Sequence, residues 1–158
     1  MAGGIGSRFW PMSTPSKPKQ FLDILGTGKT LLQQTFDRFM QTCKPEKVFV
    51  VTNEKYKYLV SDQLPQIPEE NILCEPLRRN TAPCIAFAAY KIKKANPNAT
   101  IVVSPADHLV LKEDSFTETI KLAIEQARNN SSLITLGIKP SRPDTGYGYI
   151  QFMDEDSH

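Results

Sequence analysis

Short runs of β-branched apolar residues alternate along the chain with stretches in which apolar positions recur every three or four residues. The runs that predict strands are 48–52, 72–74, 101–104 and 133–137, and the alternation over 147–151 predicts an edge or hairpin strand. The stretches that predict helices are 31–40, 54–64, 85–93 and 116–127. Strands that alternate with amphipathic helices are typical of βαβ units around a mainly parallel sheet, so we predict an α/β fold.

Three of the predicted helices are preceded by residues that favour a helix start. Thr30 precedes the first helix, Asn80 or Thr81 precedes the third, and Asp114 or Ser115 precedes the last. Side-chain oxygens at such positions accept hydrogen bonds from N–H groups of the first turn, which otherwise lack partners. We therefore expect these residues to cap their helices.

The composition is that of a globular protein with little net charge. Of 158 residues, 40% are apolar, and 19 Lys and Arg against 17 Asp and Glu give a net charge of +2. This small charge argues against non-specific binding to a nucleic-acid backbone, and no apolar run approaches the ~20 residues of a membrane span. The three cysteines form no C-x-x-C pair. We expect reduced thiols in a cytoplasmic protein, with no nucleic acid and no membrane among its partners.

Positive charge is concentrated beside glycines in the first twenty residues, which contain no Asp or Glu. Glycines let backbone N–H groups converge on an anion at short range, a hydroxyl adds a donor, and Arg and Lys add charge. The residues concerned are Gly3, Gly4, Gly6, Ser7, Arg8, Lys17 and Lys19. This pattern indicates a local phosphate-binding site, although a glycine turn beside a solvated arginine is the plainer alternative.

Two other glycine patterns resemble phosphate-binding loops but lack residues that those loops require. The sequence GKT at 28–30 would end a P-loop only if position 23 were glycine, and Asp23 would repel a phosphate there. The G-x-G at 4–6 would open a dinucleotide-binding fingerprint, but Phe9 stands at the third glycine position. We interpret residues 26–28 as a turn before a helix.

Four segments in this order resemble the signature motifs of one enzyme family. They are AGGIGSRFWPMS with KPKQ at 2–20, EPLRRNTAP at 75–83, SPADH at 104–108 and DTGYGYI at 144–150. The first resembles the signature of sugar-phosphate nucleotidyltransferases, and the others resemble those of bacterial mannose-1-phosphate guanylyltransferases within that family. The resemblance implies a Rossmann-like three-layer fold with a mixed, mainly parallel sheet. Residues 1–158 would form the N-terminal part of one such domain, without its first strand and its C-terminal part.

The resemblance also implies roles for individual residues. Arg8 would hold the leaving pyrophosphate, Lys19 would neutralise phosphates near the reacting centre, and Asp107 would ligate Mg2+, which prefers carboxylates, phosphate oxygens and water. Gly146 and Tyr147 would close on the sugar phosphate. The nucleotide-binding residues would be Ala2, Gly3, Gly4, Gly6, Ser7, Arg79, Asn80 and Thr81.

The reaction implied by the resemblance transfers a guanylyl group from GTP to mannose 1-phosphate, giving GDP-mannose and pyrophosphate. Such a transfer needs positioning of the reactants and neutralisation of charge. The nucleophile is a sugar phosphate, whose second pKa of about 6 leaves it mostly ionised at neutral pH. No general base is required, which agrees with a chain whose only histidines are His108 and His158. A homo-oligomer is compatible with this assignment.

Two alternatives remain open on the sequence alone. A sister transferase would join glucose 1-phosphate to dTTP or UTP. A non-catalytic regulatory subunit would bind a nucleotide sugar without turnover, although Arg8, Lys19 and Asp107 all carry chemistry suited to catalysis.

We predict that the isolated 158-residue polypeptide binds nucleotide weakly or not at all and does not turn over. The family pattern continues to a Glu-Lys-Pro motif, whose Lys contacts the sugar phosphate, and to a second acidic metal ligand. Neither feature is present in the 158 residues. GDP-mannose synthesis by the purified polypeptide from GTP, mannose 1-phosphate and Mg2+ would contradict this expectation.

Overall fold

Two strands and four α-helices form the regular structure of residues 1–4, 9–77, 80–130 and 132–151, the ranges that the computed structural model describes. Short 3-10 turns separate several of these elements. In chain order, the elements are α1 (Leu31–Phe39), β1 (Val50–Asn53), α2 (Lys57–Gln63), β2 (Ile72–Glu75), α3 (Thr81–Ala95) and α4 (Glu113–Asn130). Within these ranges, every helix is too short or too polar to cross a membrane.

Strands β1 and β2 form a parallel pair joined by α2, which confirms the predicted βαβ arrangement. Val50 pairs with Ile72, and Val51 pairs with Leu73. Because successive side chains of a strand point to opposite faces, these two pairs face different layers. Val50 and Ile72 pack in one apolar cluster with residues of α1 and α2, whereas Val51 and Leu73 pack with Cys84 of α3. Helices therefore cover both faces of the sheet.

Helix α1 begins at the residue that the sequence predicts. The Thr30 hydroxyl accepts a hydrogen bond from the Gln33 N–H at 3.3 Å, and the Gln33 side chain accepts one from the Thr30 N–H at 2.9 Å. This reciprocal capping satisfies two donors at the helix start. Before it, Gly26 and Gly28 have φ values of 65° and 79°, a conformation that favours glycine, so the predicted turn is confirmed.

Three predicted strands are wrong, since residues 101–104, 133–137 and 147–151 form no ladder with any described part of the chain. A strand exists only through a partner, and local apolar sequence cannot supply one. The 101–106 segment has backbone bonds to Met1 alone among the described residues: the Met1 nitrogen donates to the Ser104 carbonyl at 2.9 Å, and the Ala106 N–H donates to the Met1 carbonyl at 3.1 Å.

The prediction that Asp114 or Ser115 caps the last helix is wrong. Helix α4 begins at Glu113, so both residues lie inside its first turn. Glu113 has another partner. Its Oε1 accepts a hydrogen bond from Nε of Arg38 in α1 at 3.3 Å, and the Arg38 side chain is only 2% exposed. The Arg38 guanidinium also lies 5.5 Å from the centroid of the Phe116 ring. A buried charge thus connects α1 to α4.

We predict that Glu113→Ala lowers the free energy of unfolding by about 1–3 kcal/mol, because it leaves the buried Arg38 charge without its carboxylate. Urea denaturation of the purified protein measures this change. The matched control is Asp37→Ala, which removes a carboxylate from the exposed Lys29–Asp37 pair and should cost less. Equal losses in the two variants would contradict a special role for the buried pair.

Candidate functional site

The first residues of the chain are fixed to the sheet through their backbone. The Ala2 N–H donates to the Val51 carbonyl at 2.7 Å. The Ala2 carbonyl accepts hydrogen bonds from Nε2 of Gln20 at 2.7 Å and from the Thr52 hydroxyl at 3.1 Å, and Gln20 also donates to the Gly4 carbonyl at 2.9 Å. Gln20 and Thr52 are both buried. Residues 1–4, the described start of the glycine-rich segment, are therefore held beside the carboxyl end of β1.

The same Gln20 fixes the position of Lys19. Both lie in a 3-10 turn, Lys19–Phe21, whose Phe21 side chain is fully buried in the core. The two residues that follow Lys19 are anchored, whereas the Lys19 side chain is partly exposed, at 21%. The turn thus presents one ammonium group at the edge of the sheet.

Lys19 and Asp107, which are far apart in the sequence, meet at this edge. Nζ of Lys19 lies 3.6 Å from Oδ2 of Asp107, and the Asp107 side chain is 40% exposed. Asp107 follows Ala106, which is buried and bonded to Met1. The Lys19 ammonium also lies 4.5 Å from the centroid of the Phe9 ring. Two of the three residues predicted to act in catalysis are therefore in contact.

A second carboxylate lies close to the glycine-rich segment. A Cβ added to Gly3 would lie 3.6 Å from Oε2 of Glu75, the last residue of β2. Burial raises the pKa of the nearby Cys84 thiol, and the Glu75 carboxylate raises this pKa further. Cys84 is therefore a protonated thiol at neutral pH and is not activated as a nucleophile.

Within the described ranges, no three His, Cys, Asp or Glu residues are grouped as they would be in an all-protein metal site. Mg2+ does not need such a group, because it is commonly bound by one or two carboxylates together with phosphate oxygens and water. Asp107 offers a partly exposed carboxylate beside the cation predicted to bind phosphate. Its donor chemistry therefore fits Mg2+ held jointly with a phosphate-bearing substrate.

Asn80 and Thr81 lie at the start of α3, where both are exposed. Asn80 is the N-cap residue, as predicted, but its side chain makes no capping hydrogen bond. Its φ of 66° and ψ of −166° fall in a region that glycine almost alone adopts without strain. An amide that makes no capping hydrogen bond, on a strained backbone at a helix start, is compatible with ligand binding.

Gly146 and Tyr147, predicted to close on the sugar phosphate, are not brought to Lys19 and Asp107. Gly146 and Tyr147 are exposed, and their polar contacts run within their own segment, from the Gly146 N–H to Oδ1 of Asp144 and from the Tyr147 N–H to its carbonyl. The remaining predicted residues, Gly6, Ser7, Arg8 and Arg79, lie outside the described residues. Their roles, and those of Gly146 and Tyr147, stay predictions.

The structure explains why the P-loop-like sequence is not a phosphate site. The Asp23 carboxylate accepts hydrogen bonds from the N–H groups of Thr27 and Gly28, at 3.0 Å and 2.7 Å. Lys29 forms an ion pair with Asp37 at 2.6 Å. The donors that a phosphate would need already have an anionic partner within the protein.

Sequence reasoning missed the roles of Gln20 and Phe9. Gln20 lies in the KPKQ motif, but its spacing gives no sign that the side chain is buried against backbone carbonyls. In the sequence, Phe9 stands out only as the residue that breaks a glycine fingerprint. An aromatic residue within a cationic loop is a signal that could have suggested its contact with a lysine.

Almost the whole chain is similar to known bacterial enzymes. Residues 1–157 match the family described as nucleotidyl transferase. The chain is 42% identical over 153 residues to a mannose-1-phosphate guanylyltransferase of Escherichia coli, and the match covers 96% of this chain and 32% of that protein. It is 43% identical over 155 residues to mannose-1-phosphate guanylyltransferase RfbM of Salmonella typhimurium, with the same coverage.

A solved structure shares the fold. The crystal structure of a mannose-1-phosphate geranyltransferase from Thermus thermophilus matches with a TM-score of 0.70 and 32% identity, over 80% of this chain and 36% of that one. This likeness confirms the predicted Rossmann-like fold class. The chain spans about a third of the length of the curated relatives it matches.

We predict that Asn80→Gly raises the free energy of unfolding by about 1 kcal/mol, because glycine relieves the backbone strain at this position. In the complete protein, the same variant should bind GTP more weakly, since it lacks the amide predicted to contact the nucleotide. Urea denaturation and calorimetric titration measure the two effects. Asn80→Ala, which lacks the amide but keeps the strain, should weaken binding without the gain in stability. A less stable Asn80→Gly variant would contradict the prediction.

Proposed function

Because the chain belongs to the nucleotidyl transferase family, we propose that the protein transfers the guanylyl group of GTP to mannose 1-phosphate, forming GDP-mannose and releasing pyrophosphate. The observation that carries this proposal is the Lys19–Asp107 pair beside the glycine-rich segment. The specific choice of substrates is supported by similarity to proteins named mannose-1-phosphate guanylyltransferases. These substrates are charged and water-soluble, which suits the proposed cytoplasmic location.

In the proposed reaction, a phosphate oxygen of mannose 1-phosphate attacks the α-phosphorus of GTP. One phosphorus–oxygen bond forms, the bond to the leaving pyrophosphate breaks, and no proton has to be removed from the nucleophile at neutral pH. The task of the protein is to align the reactants and to balance negative charge on the phosphate oxygens. The residues at the sheet edge suit this task, since none of them has to act as a general base.

Lys19 supplies a positive charge, and its anchored turn limits where that charge lies. We assign it to the phosphate oxygens of GTP. Asp107 would hold Mg2+, which when bound neutralises negative charge on phosphate oxygens. Because the charged atoms of Lys19 and Asp107 are 3.6 Å apart, both residues lie within reach of one triphosphate.

At Gly4 the described part of the chain leaves room next to the backbone. A Cβ added to Gly4 would meet no described atom within 4 Å, and one added to Gly3 would meet Glu75 at 3.6 Å, an ordinary contact distance. Among the described residues, none blocks the approach of a ligand to Gly4 on this side. In contrast, the N–H and carbonyl of Ala2 both have protein partners, so we assign Ala2 to anchoring the segment.

The substrates are tested with the complete protein that contains these residues. Each of GTP, dTTP, UTP and ATP is incubated with mannose 1-phosphate or glucose 1-phosphate and Mg2+, and released pyrophosphate is measured. The proposal expects the highest turnover with GTP and mannose 1-phosphate. Turnover only with glucose 1-phosphate and dTTP or UTP would replace it with the sister reaction, and binding of GDP-mannose without any turnover would indicate a regulatory subunit.

We predict that Lys19→Met lowers kcat of the complete protein by about 100-fold or more, because charge developing on the phosphates loses its neutralising partner. Lys19→Arg should retain part of the activity, since it keeps the charge. Lys29→Met is the matched control, because Lys29 lies before α1 and forms an exposed ion pair with Asp37 of that helix, outside the site. Comparable losses in the Lys19→Met and Lys29→Met variants would refute the assignment.

A further inference from the structure

Phe9 contacts the Lys19 ammonium at the edge of the sheet, next to Asp107. The proposed reaction does not by itself assign a role to this aromatic ring. The Lys19 ammonium lies 4.5 Å from its ring centroid and 3.6 Å from the Asp107 carboxylate. Phe9 is not among the buried apolar residues of the core, and the residue is 36% exposed. Its ring therefore contributes more to the surroundings of Lys19 than to the packing of the fold.

The ring and the carboxylate attract the ammonium in different ways. The face of an aromatic ring carries partial negative charge, and a cation within about 6 Å of the centroid is attracted to it. Unlike Asp107, the ring carries no net charge and does not ligate Mg2+. Contact with the ring therefore remains available to Lys19 when the carboxylate takes another partner.

A lysine needs such a restraint because its side chain is a flexible four-carbon stem with high rotamer entropy. The anchored turn fixes the Lys19 backbone, while the ammonium remains free to move unless a second group holds it. If Asp107 binds a metal ion, its hold on Lys19 weakens. Among the described contacts of Lys19, the ring of Phe9 is then the one that still holds the ammonium at the edge.

We propose that Phe9 is a positioning residue for Lys19, which holds the ammonium over its ring face so that it stays at the phosphates when Asp107 is engaged elsewhere. This inference rests on the proposed function, in which Lys19 contacts the phosphates of GTP. The proposed role depends on the negative face of the ring, and not only on the volume of the side chain.

The first test changes the electrostatics of the ring at nearly constant shape. Phe9 of the complete protein is replaced by phenylalanines with one, two and three ring fluorines, which progressively weaken the negative face. The proposal expects kcat to fall stepwise by about two- to fivefold in total, and to fall as far in Phe9→Leu. Phe9→Tyr should retain activity near that of the original protein. A flat fluorine series would overturn the proposal, because a packing role depends on shape alone.

The second test reads the contact without activity. Protons on the carbon next to the Lys19 ammonium, above an aromatic ring, resonate upfield in the NMR spectrum because of the ring current. The proposal expects the original protein to show this shift both with and without Mg2+ and GTP. The shift should be absent in the Phe9→Leu variant and present in the Phe9→Tyr variant. Disappearance of the shift in the original protein when Mg2+ and GTP bind would overturn it.

The two tests separate this inference from the proposed function. A protein that makes GDP-mannose but gives a flat fluorine series disproves the role of Phe9 and leaves the function intact. A protein that makes no GDP-mannose disproves the function, and the NMR shift still decides whether Phe9 holds Lys19. Tyr58→Leu, which removes an exposed aromatic ring on α2, is the control and should change neither kcat nor the Lys19 resonances.

Discussion

The carbonyl oxygen of Ala2 accepts two hydrogen bonds from buried side chains, and the geometry of the candidate site depends on this contact. Moving residues 1–4 away would leave Gln20 and Thr52 without these partners inside the protein, which is costly for polar groups removed from water. Thr52 belongs to β1, and Gln20 belongs to the turn that carries Lys19. One buried acceptor thus couples the glycine-rich segment, the sheet and the catalytic candidate.

The βαβ unit supplies the other half of this geometry. Because β1 and β2 are parallel, their carboxyl ends meet at one edge, where Glu75 ends β2 and α3 begins shortly afterwards. Asp107 reaches the same edge through a segment bonded to Met1. The acidic and basic groups therefore converge through backbone topology, whereas the strain at Asn80 shows that stability is not maximised at this edge.

The sequence predicts what depends on local pattern and misses what depends on distant partners. Thr30 and the apolar spacing after it are sufficient to predict α1, and the βαβ unit follows from alternation of apolar runs. The run at 101–104 is equally apolar but forms no ladder with the described residues, because pairing is decided by what lies beside it. The roles of Lys19 and Asp107 followed only from resemblance of motifs, whereas their contact and the roles of Gln20 and Phe9 needed coordinates.

The closeness of Lys19 and Asp107 also bears on how a ligand arrives. Opposite unit charges separated by 3.6 Å act at a distance as a dipole, whose potential falls off more steeply than that of a single ion. With salt present, little of this field extends beyond the Debye length of about 8–10 Å. The pair therefore contributes little to drawing an anionic nucleotide from solution. The pair acts on the ligand after encounter, once the bound ligand has drawn the Lys19 and Asp107 charges apart. It therefore bears on discrimination among bound ligands more than on the rate of association.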